Sequence, residues 1–467
     1  MNKKKDITLG ISLIPIICLI LFLFIVVFKY KASPHIALIG ASAIAALVAV
    51  YLGYTWSEIE KGILKSINMG MQAIIILMII GTIIGTWILS GVVPTMIYYG
   101  LQILSPSIFL VATAVICAIV ALSTGSSWTT VGTVGIALIG VGKGLGMPDY
   151  MIAGAIISGS YFGDKMSPLS DTTNLAPAMA GTNLFDHVRH MVYTTGPAFI
   201  IALILYGVIG IKYSNGNVNS DTINLILNTL NSSFNINIFL LLPPVLVIAL
   251  VIFKVPAIPG LIGGTVIGGI FAVIFQGAGL KSIITSAQSG FLSETGVKVV
   301  DELLTRGGLD SMMGTVSLIL CALTFGGILE STGMLETIAQ SILKFAKGTG
   351  SLILVTIVSC IFANLVTGDQ YLSIVVPGRM YKDAYRQRRL HPKNLSRTLE
   401  DAGTLTSSLI PWNTCGAYMS TTLGVSPLDY LPWAFLNIIN PIIAVIYGYL
   451  GFTIEYVDDS FFEDEIV

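Results

Sequence analysis

The polar residues of this chain are few and gathered, since only 10% of its residues are charged. Residues 158 to 177 read SGSYFGDKMSPLSDTTNLAP and place Asp164, Lys165, Ser167, Ser170, Asp171, Thr172, Thr173 and Asn174 around Pro168, between apolar flanks. Three further stretches have the same character. STGSSWTT (123 to 130) sets Thr124, Ser126, Ser127 and Thr129 about Gly125, and VTGDQYLS (366 to 373) sets Thr367, Asp369 and Gln370 about Gly368. EDAGTLTSSLIPWNTCG (400 to 416) carries Glu400, Asp401 and Asn413 with several hydroxyls around Pro411. Carboxylates with hydroxyl, amide and carbonyl oxygens, and no soft ligand, suit hard cations such as Na+ or Ca2+. One or two carboxylates favour a monovalent ion. A carboxylate taken out of water needs either a bound cation or its own proton, so one group can hold Na+ and H+ in alternation.

Each stretch taken alone also has a plainer reading. Gly and Ser are common where helices kink or pack closely. The stretch 158 to 177 could be a solvated loop in which Asp171 caps a helix and Lys165 neutralises Asp164. What distinguishes the readings is whether these groups lie at membrane depth, where ionisable residues are costly and mark functional sites.

The elements around them are those of an all-α polytopic membrane protein. The 467 residues are 54% hydrophobic with a mean hydropathy of +0.85, and the apolar residues come in unbroken blocks. The blocks are 7 to 28, 35 to 53, 69 to 90, 107 to 123, 188 to 211, 236 to 253, 257 to 276, 312 to 329, 349 to 366 and 430 to 454. Each can cross about 30 Å of hydrocarbon, which leads to an expectation of about 10 to 13 transmembrane segments. The opening MNKKKD with its apolar block reads as a retained first helix rather than a cleaved signal. Cys18, Cys117, Cys321, Cys360 and Cys415 fall singly, so neither a disulfide framework nor a metal cluster is expected. A net charge of -1 gives no footprint for nucleic acid, and His35, His187, His190 and His391 are scattered without ligand spacing.

The chain also repeats itself. LKSI occurs at 64 to 67 and 280 to 283, followed by Gln72 and Gln288; IG, AV and FK pairs recur upstream at matching places. Downstream, after an insertion near 290 to 310, Gly85 and Gly91 match Gly327 and Gly333. Thr113, Cys117, Leu122, Thr124, Gly125 and Gly135 then match Thr356, Cys360, Leu365, Thr367, Gly368 and Gly378. The ordered series divides the chain into a first repeat over 7 to 212, a linker over 213 to 235, a second repeat over 236 to 453 and an acidic tail over 454 to 467. The linker is nearly free of basic residues and should be external, whereas Lys3, Lys4 and Lys5 place the N-terminus in the cytoplasm. The repeats are therefore expected to be inverted in topology, with discontinuous helices or re-entrant hairpins at the matched Thr-Gly breaks, the pattern of secondary transporters. No nucleophile stands beside a base and no metal spacing is present, so an enzyme is not expected; a channel fits paired broken helices with carboxylates less well than an exchanger.

The run GDKMSPLSDTTNLAPAMAGTNLFDHVRHMVYTT (163 to 195), with ALSTGSSWTTVGTVG and NLVTGDQYLSIVVPGRMY, closely resembles the NhaC family of Na+/H+ antiporters over nearly the whole chain. The resemblance implies exchange of Na+ for H+ in a bacterial cytoplasmic membrane. It also implies a fold similar to the broader ion transporter superfamily, with a scaffold domain, a moving domain and paired hairpins. The same family includes malate-2H+/Na+-lactate antiporters, which keeps malate and lactate open as cargo. On the first reading Asp164, Asp171 and Asp369 are the carboxylates, with Asp401 next, and Thr124, Ser126, Ser127, Thr172, Thr173, Asn174, Thr367 and Asn413 supply neutral oxygens for Na+. On the second, Lys165, hydroxyls or half-helix N-termini hold the anion. No cofactor is expected, the lipid bilayer is the surrounding partner, and a homodimer is left open.

Overall fold

In a computed structural model the described residues are 4 to 30, 32 to 214 and 220 to 458. Lys3 and most of the acidic tail lie outside them. The chain is helical throughout, and the only pairings of β type among the described residues are isolated bridges, Phe291 with Arg306 and Leu390 with Tyr456. The first half runs α1 (Leu9–Leu23), α2 (His35–Tyr51), α3 (Trp56–Leu89), α4 (Val92–Ile103), α5 (Pro106–Thr124), α6 (Ser127–Thr130), α7 (Ile136–Gly144), α8 (Asp149–Met166), α9 (Asp171–Ala180) and α10 (Leu184–Ser214). A π turn, Val131–Gly135, joins α6 to α7 without a break. Next come α11 (Ser220–Ser233), which occupies much of the expected linker, and α12 (Leu242–Ile252). The second half continues with α13 (Ala257–Gln276), α14 (Leu280–Ser289), α15 (Lys298–Leu304), α16 (Leu309–Ser331), α17 (Met334–Leu343), α18 (Thr349–Thr367) and α19 (Gln370–Gln387). It ends with α20 (Pro392–Leu399), a π turn Glu400–Thr404, α21 (Leu405–Ser407), α22 (Thr414–Leu423), α23 (Pro427–Tyr430) and α24 (Phe435–Leu450).

Seven helices among the described residues are long and apolar enough to cross a membrane, or nine if two bent pairs, turning by 101° and 59°, each count as one span. His35–Tyr51 is a shorter apolar helix. Every apolar block of the sequence falls on one of these elements.

The order of elements in the first half recurs in the second. Each half has a helix ending at a Thr-Gly pair, an abrupt restart, a second break and a short helix leading to a long apolar one. The inserted segment 290 to 308 splits α14 from α16 where α3 is continuous. α3 and α16 pack antiparallel: a Cβ built on Gly62 would stand 2.1 Å from Ser331 Oγ, one on Gly70 2.4 Å from Leu323 Cδ1, and one on Gly81 2.5 Å from the Gly308 carbonyl. Small residues let these backbones approach closely, the usual basis of helix packing in lipid. α5 and α8 make the same kind of contact, with Gly159 against the Ala114 carbonyl and Gly163 against the Ala118 carbonyl, where an added Cβ would lie at 2.1 and 2.2 Å. Gly163 thereby seats the last turn of α8, which carries Asp164, directly on α5.

Candidate functional site

Two breaks are built alike. α5 ends at Gly125 (φ 67°, ψ 25°) and α18 at Gly368 (φ 65°, ψ 17°), both left-handed, a conformation natural to glycine. The next residue caps the following helix: Ser126 Oγ accepts from Thr129 N at 3.1 Å, and Asp369 Oδ1 accepts from Leu372 N at 2.9 Å. Each Gly is pressed against the second break of its own half. A Cβ on Gly125 would meet the Leu169 carbonyl carbon at 2.6 Å and Ser170 N at 2.8 Å, while one on Gly368 would lie 3.2 Å from the Trp412 carbonyl. The register pairing Gly125 with Gly368 also pairs Leu169 with Trp412, Ser127 with Gln370, Asp164 with Ser407 and Asp171 with Thr414. The contacts follow it: Ser127 N donates to Asp164 Oδ2 at 2.9 Å, and in the second half Ser407 Oγ donates to Gln370 Oε1 at 3.2 Å. A carboxylate stands in one half where a hydroxyl stands in the other.

These breaks surround a small polar cavity of about 60 Å³. Its wall contains the first residues of four helices: Ser127 of α6, Asp171 of α9, Gln370 and Tyr371 of α19, and Thr414 and Cys415 of α22. Asp164 lines it too, 6% exposed, with Oδ2 held by the Ser127 amide and Oδ1 without a hydrogen-bond partner. Helix starts carry partial positive charge and free N–H groups, so they offset the negative charge of Asp164 and Asp171. Asp171 accepts from Thr172 N at 2.9 Å on Oδ1 and from the Tyr371 hydroxyl on Oδ2. The cap of α9 is Ser170, whose Oγ accepts from Thr173 N at 3.4 Å, so Asp171 is the first residue of the helix rather than its cap.

The structure thus brings Asp164, Asp171, Ser126 and Ser127 to one cavity. The other sequence candidates serve nearby. Asp369 and Asn413 cap α19 and α22. Thr124 and Thr367 sit at the ends of α5 and α18, the latter donating to the Ala363 carbonyl at 2.8 Å. Thr172 Oγ1 is 3.2 Å from Ser170 Oγ, Thr173 Oγ1 donates to the Lys165 carbonyl at 3.0 Å, and Asn174 Nδ2 ties the Pro168 and Ser170 carbonyls at 2.9 and 2.6 Å. Lys165 does not neutralise Asp164: its ammonium turns to Asp401, both side chains fully buried, where Asp401 Oδ1 also accepts from Thr194 Oγ1 at 3.0 Å and Asn440 Nδ2 at 2.7 Å. Gln72, Trp128, Tyr371 and Cys415 line the cavity without having been singled out as site residues, and Thr414, one of the hydroxyls around Pro411, joins them. The repeat register carried the signal for Thr414, as the partner of Asp171.

An all-helical membrane protein with a polar cavity walled by paired broken helices is of the class of secondary carriers. The chain belongs to the Na+/H+ antiporter family, whose family model matches residues 159–452. It is 43% identical over 449 residues to the Na+/H+ antiporter NhaC of Alkalihalophilus pseudofirmus, covering 96% of this chain and 97% of that protein. It is 41% identical over 426 residues to the malate-2H+/Na+-lactate antiporter of Bacillus subtilis, 91% of each. Among solved structures, Neisseria gonorrhoeae MtrF, described in a study of antimetabolite efflux pumps, aligns over 94% of this chain and 97% of its own at a TM-score of 0.41 and 14% identity.

Proposed function

We propose that this chain exchanges Na+ for H+ across a bacterial cytoplasmic membrane, with the ion held in the cavity at Asp164 and Asp171. The observation that carries the assignment is Asp164 itself, buried in the wall of a polar cavity lined by residues of both halves, with its Oδ1 left without a hydrogen-bond partner. Na+ entering there would meet Asp164, Asp171 and the oxygens of Ser126, Ser127, Gln370 and Thr414. When it leaves, the desolvated carboxylate takes a proton instead, which makes the two ions alternate. The relative from Alkalihalophilus pseudofirmus bears the same activity in its name.

The two halves are read as inverted repeats, about 7 to 212 and 236 to 453, with the N-terminus cytoplasmic. α3 and α16 hold matching places in the repeated order and pack antiparallel, as equivalent spanning helices do when one copy is turned over in the membrane. Alternating access would rock elements of one half against the other around the cavity.

Exchange of malate and lactate is the second reading, favoured by the Bacillus subtilis relative's name. Against it stands the cavity's size: about 60 Å³, at about 10 to 15 Å³ for each water, is room for a few waters rather than for a four-carbon dicarboxylate. Lys165, one of the groups that would hold an anion on that reading, is already engaged by Asp401. The deciding experiment is Na+-driven proton movement in everted vesicles with and without malate or lactate. Full activity without either carboxylate supports cation exchange; activity that appears only on adding one establishes the second reading.

A further inference from the structure

An apolar groove of about 700 Å³ is walled by α18, α24 and the segment between α21 and α22. No charged residue lines it. Leu354 and Leu365 mark its reach along α18, and Ile438 and Val445 along α24. Its polar lining residues Thr406 and Asn437 are engaged within the protein: Thr406 Oγ1 donates to the Ala402 carbonyl at 2.6 Å, and Asn437, 0% exposed, donates to the Leu405 carbonyl at 2.9 Å and keeps its unpaired Oδ1 buried. The first half is closed at the corresponding place. The register that pairs Gly125 with Gly368 pairs Ala118 with Ile361 and Gly163 with Thr406. Gly163 lies on the Ala118 carbonyl, whereas the larger Ile361 and Thr406 both line the groove.

We propose that this groove seats one acyl chain of a membrane phospholipid. α18 is among the helices long and apolar enough to cross a membrane, and Val358 and Ile442 stand exposed in the groove's walls, which sets it against the hydrocarbon. From Leu354 to Leu365 the helix rises about 16 Å. That is half of a hydrocarbon core of roughly 30 Å, so the groove has the depth of one leaflet. Walls without charge hold nothing for a headgroup, whereas a hydrocarbon chain laid along them makes the dispersion contacts that an apolar hollow otherwise forfeits. A helix from a second copy, about 10 Å across, would take up roughly 1,200 Å³ over the same length, more than the groove holds. The seated chain packs on Leu409, Ile410, Pro411 and Trp412, the segment that leads directly to Thr414 and Cys415 in the wall of the ion cavity.

The test uses the full chain in vesicles of phosphatidylethanolamine and phosphatidylglycerol, a fraction of the latter carrying a photoreactive diazirine midway along one acyl chain. After illumination, peptide mass spectrometry locates the adducts. Labelling of 354 to 365 and 438 to 445 should exceed by about fivefold that of comparably exposed apolar faces, Ile200 and Ile204 of α10 and Ile270 and Val273 of α13. Even labelling of all these faces overturns the proposal, because it marks ordinary surrounding lipid. Weaker labelling in the groove also overturns it and shows that protein, such as a second copy, covers the groove. Ile361→Trp fills the groove and should bring its labelling down to the level of the other faces, leaving theirs unchanged; undiminished labelling overturns the assignment to this site. If Ile361→Trp does not fold, Val358→Trp takes its place with the same two outcomes.

Discussion

The Tyr371 hydroxyl donates to Asp171 Oδ2, joining the first turn of α19 to the first turn of α9 across the cavity. A hydrogen bond to a charged carboxylate contributes about 1.5 to 3 kcal/mol, and this one occupies an oxygen that the ion would otherwise use. Tyr371→Phe should therefore lower the half-saturating Na+ concentration by roughly tenfold, read from dye-reported proton movement in everted vesicles. An unchanged concentration would show that Asp171 takes no part in holding the ion.

Gly125 and Gly368 are left-handed and closely packed, so they test the broken helices. Gly368→Ala would bring a Cβ 2.6 Å from Ala322 Cβ, and Gly125→Ala would press one into the backbone at Leu169 and Ser170. Backbone strain alone costs about 1 to 3 kcal/mol, and both contacts add to it. Each variant should melt at lower temperature in detergent and lose most of its exchange. Substituting Gly146, also left-handed but with nothing within 4 Å of an added Cβ, should leave exchange near normal.

The buried Lys165–Asp401 pair should show its coupling in a double-mutant cycle. Removing one partner strands the other charge, at a cost of about 3 to 5 kcal/mol, so Lys165→Met and Asp401→Asn should each fold poorly. The double variant should recover part of the loss, because the introduced amide keeps polar atoms for Thr194 and Asn440 while no stranded lysine remains. Thermal melts of the three variants check this; additive losses would refute the coupling.

Much of this arrangement was legible in the sequence, and each miss has a physical cause. The Thr-Gly breaks showed because glycine and hydroxyls interrupt an apolar run, and the repeat register showed where their mates lay. Asp164, Asp171, Ser126 and Ser127 meet at the cavity, but Asp369 and Asn413 cap helices and Asp401 closes an ion pair. A helix cap and a hard-cation ligand require the same residue types at a helix start, so spacing alone does not separate them. Lys165 follows Asp164 in sequence, yet successive side chains on a helix diverge, which is why it reaches Asp401 instead. Tyr371 and Trp128 carry no charge to mark them and were found only by their place in the fold.

Outside the membrane-spanning helices, Asp301 organises the inserted segment. It accepts from Ser293 Oγ, Thr295 N and Thr295 Oγ1, each at 2.8 Å, and from Gly296 N at 3.1 Å. These donors, the Thr295 amide foremost, hold its carboxyl below the ordinary carboxylate value. A depressed value in the folded state means that the stabilisation is fully present above the unfolded value of about 3.9 and fades as pH falls through the lower, folded one. Amide exchange over 291 to 305 should stay slow from neutral pH down to that range and quicken below it. Asp301→Ala should make it fast at every pH; equal protection in that variant would remove Asp301 from the role.

The central claim is that Na+ is held by Asp164 between the two halves. Its most direct measurement is equilibrium binding of radioactive Na+ to the purified Asp164→Asn chain beside the unaltered one, with folding checked by thermal melting. Saturable binding by the unaltered chain and none by a folded Asp164→Asn is the predicted result. Equal binding by both would contradict it.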